Sequence, residues 1–175
     1  PNAHGLVTIN DGTVDAFGGA SLDINNADVA IKLTSATSDT SGGNGLNLVN
    51  SSGSVEINET FVLSPTGNGL NLVDNVPGFI ADFGTTSVRG IDNGAVGVNI
   101  TNTTDPVPAT YTSFDSLAIE TVNGTGILTR NGGIVNFNSP AVVTANGGPA
   151  LNLENTTGTT NNVAGSGFTF LNINS

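Results

Sequence analysis

Chemistry needs side chains that can donate, accept or attack, and in this 175-residue chain they are few and scattered. There is one histidine, His4, and no cysteine, so a thiolate nucleophile, a disulfide framework and a thiolate metal site are all excluded. The cations are Lys32, Arg89 and Arg130, against 14 Asp and Glu, for a formal net charge of -11. Three dispersed cations cannot neutralise a phosphate backbone, which excludes nucleic acid as a partner, and they give no grip on an anionic membrane surface. Acid–base catalysis would need a base with its orienting partner, or two facing carboxylates. The acids closest to a usable grouping are Asp11 with Asp15 and Asp74 with Asp92, which could offer oxygens to Ca2+ beside backbone carbonyls. Neither the GGxGxDxUx nonapeptide nor an EF-hand loop is present. The expectation is no cofactor, with Ca2+ the single candidate.

The elements that would have to position these groups are written in the composition. There are 25 Asn, 24 Gly, 23 Thr and 14 Ser, a turn-rich inventory unlike that of a helical protein. A hydrophobic fraction of 37% with only 10% charged residues places the chain outside the disordered class, which combines low hydrophobicity with high charge. No apolar run reaches the roughly 18 residues of a membrane-spanning helix, so no membrane insertion is expected. The opening PNAHGLVTIN lacks the basic and apolar regions of a signal peptide. Without a Met, the chain reads as a processed or excised form.

A repeat organises the sequence. GNGLNLVN at 43–50 returns as GNGLNLVD at 67–74, 24 residues later. Weaker copies are SLDINN at 21–26, GVNITN at 97–102, GILTRN at 126–131 and ALNLEN at 150–155, with LVTIND at 6–11 as a degenerate first copy. The apolar pairs, such as Leu46 with Leu48 and Leu70 with Leu72, alternate with polar residues, and a period of two means strand. Further short apolar segments lie between the copies, among them VAIKL at 29–33, FIADF at 79–83 and AVVTA at 141–145. Two or three short strands fit each turn of about 24 residues, and a repeat near that length predicts a solenoid of parallel strands. The expected fold is all-β: one domain over 1–175, with about seven coils near 3–19, 20–43, 44–67, 68–94, 95–124, 125–147 and 148–175.

The copies of G-[LVI]-x-[LVI]-x-N resemble the right-handed parallel β-helix of the pectin lyase-like superfamily over nearly the whole chain. The resemblance implies a ladder of stacked turn amides at Asn26, Asn50, Asn102, Asn131 and Asn155, with Asp11 and Asp74 as departures because a carboxylate cannot donate. Physical chemistry supports these positions: Asn tolerates the left-handed conformation of a tight turn, and its amide both donates and accepts between coils. Many members of that superfamily cleave acidic polysaccharides. Their N-x-D, D-D and G-H-G motifs are not present here as a set, and Lys32, Arg89 and Arg130 fall at three phases of the repeat. No enzyme activity is expected.

The outward slot of each copy reads Thr8, Asp23, Asn47, Asn71, Asn99, Leu128 and Asn152. It has no T-x-T repeat of the ice-binding kind, and reads as a solvated polar face with cross-strand amide hydrogen bonds. Of the N-x-[ST] sequons at Asn50, Asn58, Asn99, Asn102, Asn123 and Asn155, Asn58 and Asn123 are expected to be the exposed acceptors. The longest insertions, near 75–95 and 103–116, carry Phe79, Phe83, Tyr111 and Phe114. These aromatics either stack on sugar rings of a glycan ligand or pack the insertions against the coil.

Neither terminus offers a capping helix: HGLVTIN and GFTFLNINS are both strand-like, so both edges are open to pairing. The functional expectation is a non-catalytic structural solenoid, a subunit of a self-assembling filament or a rigid segment of an adhesin. Its partners would be copies of itself, head to tail, and its place extracellular or at the cell surface, where this composition is common. A carbohydrate-binding or polysaccharide-degrading module is the alternative.

Overall fold

The structure, a computed structural model, describes residues 5–92, 94–103, 110–160 and 170–174, with 157–160 and 170–174 described by their backbone alone. Among these residues there is no helix, and every strand pairing is parallel. The chain winds as a parallel β-solenoid of about six turns, three strand segments to a turn, so that the strands form three faces.

Face A consists of β3 (Leu22–Asn25), β5 (Leu46–Val49), β7 (Leu70–Val73), β9 (Val96–Thr101) and the first parts of β11 (Thr125–Phe137) and β13 (Leu151–Thr160). Face B begins with β1 (Leu6–Asn10) and continues through the first parts of β4 (Asp28–Asp39), β6 (Ser52–Leu63), β8 (Ile80–Ile91) and β10 (Tyr111–Thr121), then the second parts of β11 and β13. Face C begins with β2 (Thr13–Phe17), takes the second parts of β4, β6, β8 and β10, and ends with β12 (Ala141–Ala145) and β14 (Phe170–Asn174).

The corners follow from residue type. Asn26, Asn50, Asp74, Asn131 and Asn155, each just after a face A segment, have φ between 45 and 54, the left-handed region that Asn and Asp tolerate. Asn102 is not among the positive-φ residues. LVTIND is not a first copy of the face A strand: β1 pairs with β4, Leu6 opposite Asp28, so it belongs to face B and Asp11 turns a different corner. The departure shows in the spacing, because Asp11 lies 15 residues before Asn26 where later intervals are 24 or more.

Alternation fills the bore in columns. On face A, Leu46, Leu70, Val98 and Ile127 stack one above another, as do Leu48, Leu72 and Ile100, all buried. On face B, Leu33, Ile57, Phe83, Phe114 and Phe137 make one column, and the three rings stack at centroid distances of 5.4 and 5.7 Å. On face C, Val62, Val88, Ile119 and Val143 form another. That last column explains the glycine of the repeat. A Cβ on Gly45 would lie 2.2 Å from Val62 Cγ1, and one on Gly69 would lie 2.3 Å from Val88 Cγ1 and 2.4 Å from the Gly97 carbonyl. No side chain fits where the face C aliphatics reach across.

Candidate functional site

The most continuous polar array is on face A, in the outward slot. The alternation that buries Leu46 and Leu48 turns Asn47 to the other side of the strand, and the rung register sets Asp23, Asn47, Asn71 and Asn99 directly opposite one another. Asn47 Nδ2 donates to Asp23 Oδ1 (2.9 Å), Asn71 Nδ2 to Asn47 Oδ1 (2.8 Å) and Asn99 Nδ2 to Asn71 Oδ1 (2.8 Å). The amides therefore all point one way and end on a carboxylate. A second column in the preceding turn locks onto the first. Asn44 Nδ2 donates to Asn47 Oδ1 (3.0 Å) and Asn68 Nδ2 to Asn71 Oδ1 (2.8 Å), while Asn44 Oδ1 accepts from the Asn68 backbone N–H and Asn68 Oδ1 from that of Val96 (both 2.9 Å).

The sequence led us to expect a solvated polar face with cross-strand amide hydrogen bonds; the hydrogen bonds are there, but part of the slot is closed to water. Asn71 and Asn99 are 9% and 8% exposed, because the adjoining turn residues fold over the slot. Asn99 Oδ1 is buried without a hydrogen-bond partner, since the next rung brings Leu128 opposite it instead of a donor.

The corner residues form a shorter ladder than expected. Asn155 Nδ2 donates to Asn131 Oδ1 (2.7 Å), and Asn102 and Asn131 each donate from Nδ2 to the other's backbone carbonyl (2.7 and 3.1 Å). Asn26 and Asn50 are exposed, and among the described residues no side-chain hydrogen bond links them to each other or to Asp74. Both have positive φ, so these turns use Asn for its backbone tolerance. Asp74 accepts instead from the backbone N–H and hydroxyl of Thr103, at 2.6 and 2.9 Å.

The aromatics proposed to face a ligand are mostly interior. Phe79, Phe83 and Phe114 are 1%, 0% and 0% exposed and belong to the core, with Phe83 and Phe114 in the stacked column. This corrects the sugar-stacking reading for all three. The alternation within FIADF, in register with Val55 and Ile57, is the signal that identifies Phe83 as core, and Phe114 follows it one turn on. Tyr111 is half-buried and lies between Ile80 and Ile134 in an outward column of face B.

The charged groups are dispersed. Lys32 pairs with Glu56 (2.6 Å) on face B and Arg130 with Glu154 (2.7 Å) on face A, both exposed and each one turn apart. Arg89 lies exposed on face C. The hydrogen bond and charge of Glu56 raise the Lys32 pKa. The Thr34 hydroxyl (2.6 Å) and then the Gly12 N–H (2.8 Å) bond the Asp11 carboxylate and lower its pKa, so this acid serves its turn. Among the described residues, no three His, Asp or Glu gather as a metal site would require. His4 lies outside the described residues. Asn58 and Asn123, the sequon candidates, are both exposed.

Val7 and Ile9 of β1, with Leu22 and Ile24 of β3, line a slot of about 370 Å3 at the end of the bore. On the first turn Leu6 and Phe17, in outward positions, are 58% and 84% exposed, and Val7, facing the bore, is 49% exposed. No family model matches this chain, and no curated protein or solved structure matches it. Its own geometry offers a stack of parallel rungs joined by hydrogen-bonded amide columns.

Proposed function

We propose that this chain is a non-catalytic structural solenoid, a subunit of a self-assembling extracellular filament or a rigid segment of a surface adhesin, stacking head to tail with copies of itself. The observation that supports the reading is the stack itself, in which every strand pairing among the described residues is parallel and joins one turn to the next, so that an equivalent turn of another copy can continue it. Exposed strand edges with apolar side chains pair with other strands unless they are covered or charged. Ends that are not self-complementary give a heterologous contact, which propagates instead of closing. The carbohydrate-binding alternative loses its main support with the burial of Phe79, Phe83 and Phe114.

Negative-stain electron microscopy and sedimentation across a concentration series test the proposal. The expected result is end-to-end association that Val7→Lys suppresses while leaving the melting temperature nearly unchanged, since Val7 is already half exposed. A monodisperse monomer at the highest attainable concentration overturns it.

A further inference from the structure

The corner that joins β2 to β3 is shorter than the two that follow it. From Phe17 to Leu22 it has residues 18–21, whereas the next runs over 40–45, from Asp39 to Leu46, and the one after over 64–69, from Leu63 to Leu70. The short corner is built of Gly18, Gly19 and Ala20 before Ser21, and with so little side chain it leaves a recess of about 250 Å3 that Asp23, Asn44 and Asn47 also line. We infer that this recess is a binding site for a primary carboxamide, the side-chain amide of an Asn or Gln on a partner polypeptide.

The fold itself supplies the template. Asn44 stands two residues before Leu46, and Asn68 two before Leu70; each gives Nδ2 to the outward Asn of its own turn and takes on Oδ1 a backbone N–H of the next. Ala20 stands two residues before Leu22 and can do neither. Both consequences fall on the lining of the recess. Among the described residues the Asn44 N–H has no hydrogen-bond partner. Asn47 and Asn71 each receive two donors on Oδ1, whereas Asp23 receives Asn47 Nδ2 alone. One group needs an acceptor and the other can take a further donor, and a primary amide presents both. At the other end of the column, where Val96 stands, the Thr125 N–H is bonded to the Ala95 carbonyl (3.0 Å) and Asn99 is buried, so the same demand does not recur. Charge narrows the choice of ligand. A carboxylate arriving here would meet Asp23 in a chain of net charge -11, which favours a neutral side chain within a peptide over a free amino acid.

This goes beyond the stacking of copies, because the recess lies between two turns of one chain and needs no second molecule to complete it. The probe is N-acetyl-asparagine N-methylamide, titrated into isotope-labelled protein with the backbone N–H of Asn44 as the NMR reporter. A saturable downfield shift of that signal is expected. The aspartate and leucine analogues of the probe, and free asparagine, should each bind about tenfold more weakly, because the first and last bring a carboxylate and the second brings no polar side chain. Ala20→Asn supplies the amide from the chain itself: it should move the Asn44 signal downfield without any probe, raise the melting temperature and abolish the titration. The inference is overturned if the probe causes no saturable shift at Asn44, if any of the three comparison compounds binds equally well, or if Ala20→Asn, shown to be folded by circular dichroism, binds the probe like the native protein. Should that variant not fold, the ranking of the four compounds on the native protein decides alone.

Discussion

Asn71 accepts from Asn68 and Asn99 and donates to Asn47, all within one outward slot that is nearly closed to water. Asn71→Leu leaves those partners unsatisfied, and should cost about 1–3 kcal/mol in a denaturant melt. The opposite change is available one step along the ladder. Leu128→Asn would supply the donor that Asn99 Oδ1 lacks and a link towards Asn152, so it should stabilise the protein by about 1 kcal/mol, measured the same way. Corner residues behave differently. At φ 49, Asn50→Leu should cost about 1–2 kcal/mol through the backbone, while Asn50→Gly should be nearly neutral in thermal melts. The spacing of the Asn residues in the sequence identifies both sets. What it does not reveal is which set is covered, because that depends on Asn44 and Asn68 reaching over the slot from the preceding turn.

At the level of elements, the repeat reads out cleanly on face A and less well elsewhere. GLNLVN announces itself because Gly, two aliphatics and Asn are each demanded by a different neighbour. Gly45 is set by Val62, Leu46 and Leu48 by the bore, and Asn50 by the corner. Faces B and C ask only for alternation, so Phe83, Phe114 and Phe137 can replace Leu33 and Ile57 in one column without a visible motif. For the same reason β1 resembles a face A strand although it pairs on face B. The glycine argument is testable as a double-mutant cycle. Gly45→Ala should destabilise by about 1–3 kcal/mol, and much of that loss should return when Val62→Ala opens the space, as read from paired melting curves.

The whole molecule is a stack in which each turn relies on its neighbours, so stability depends on polar links between turns as well as on the bore. Two of those links carry a pH signature. Asp11 has a lowered pKa, so its contribution is present above the ordinary carboxylate range and disappears as the pH falls through its folded value. Lys32 has a raised pKa, so its contribution is complete below the ordinary lysine value and disappears as the pH climbs through the folded one. Calorimetry over a pH series should therefore show the gap between wild type and Asp11→Asn closing on the acid side, and that for Lys32→Gln closing on the alkaline side. The overall solenoid was legible because five intervals of a repeat, from Asn26 to Asn155, constrain the fold strongly. The function we propose is less legible, since a structural solenoid needs no signature residues beyond those that build it.

The paired Asn columns also bear on how long such a rod survives chemically. An Asn followed by Gly ordinarily loses ammonia when the glycine nitrogen attacks the side-chain carbonyl carbon, which is one reason Asn counts as a thermolabile residue. At Asn44–Gly45 both ends of that reaction are held: the Gly45 N–H is bonded to the Asn68 carbonyl, and the amide of Asn44 is fixed at both Nδ2 and Oδ1. Asn68–Gly69 repeats the arrangement one turn later, with the Gly69 N–H on the Val96 carbonyl. Asn146–Gly147, exposed at a turn, has no such restraint on its amide among the described residues. Ageing of the molecule should thus begin at its rim, while the amides that hold adjacent turns together keep their nitrogen.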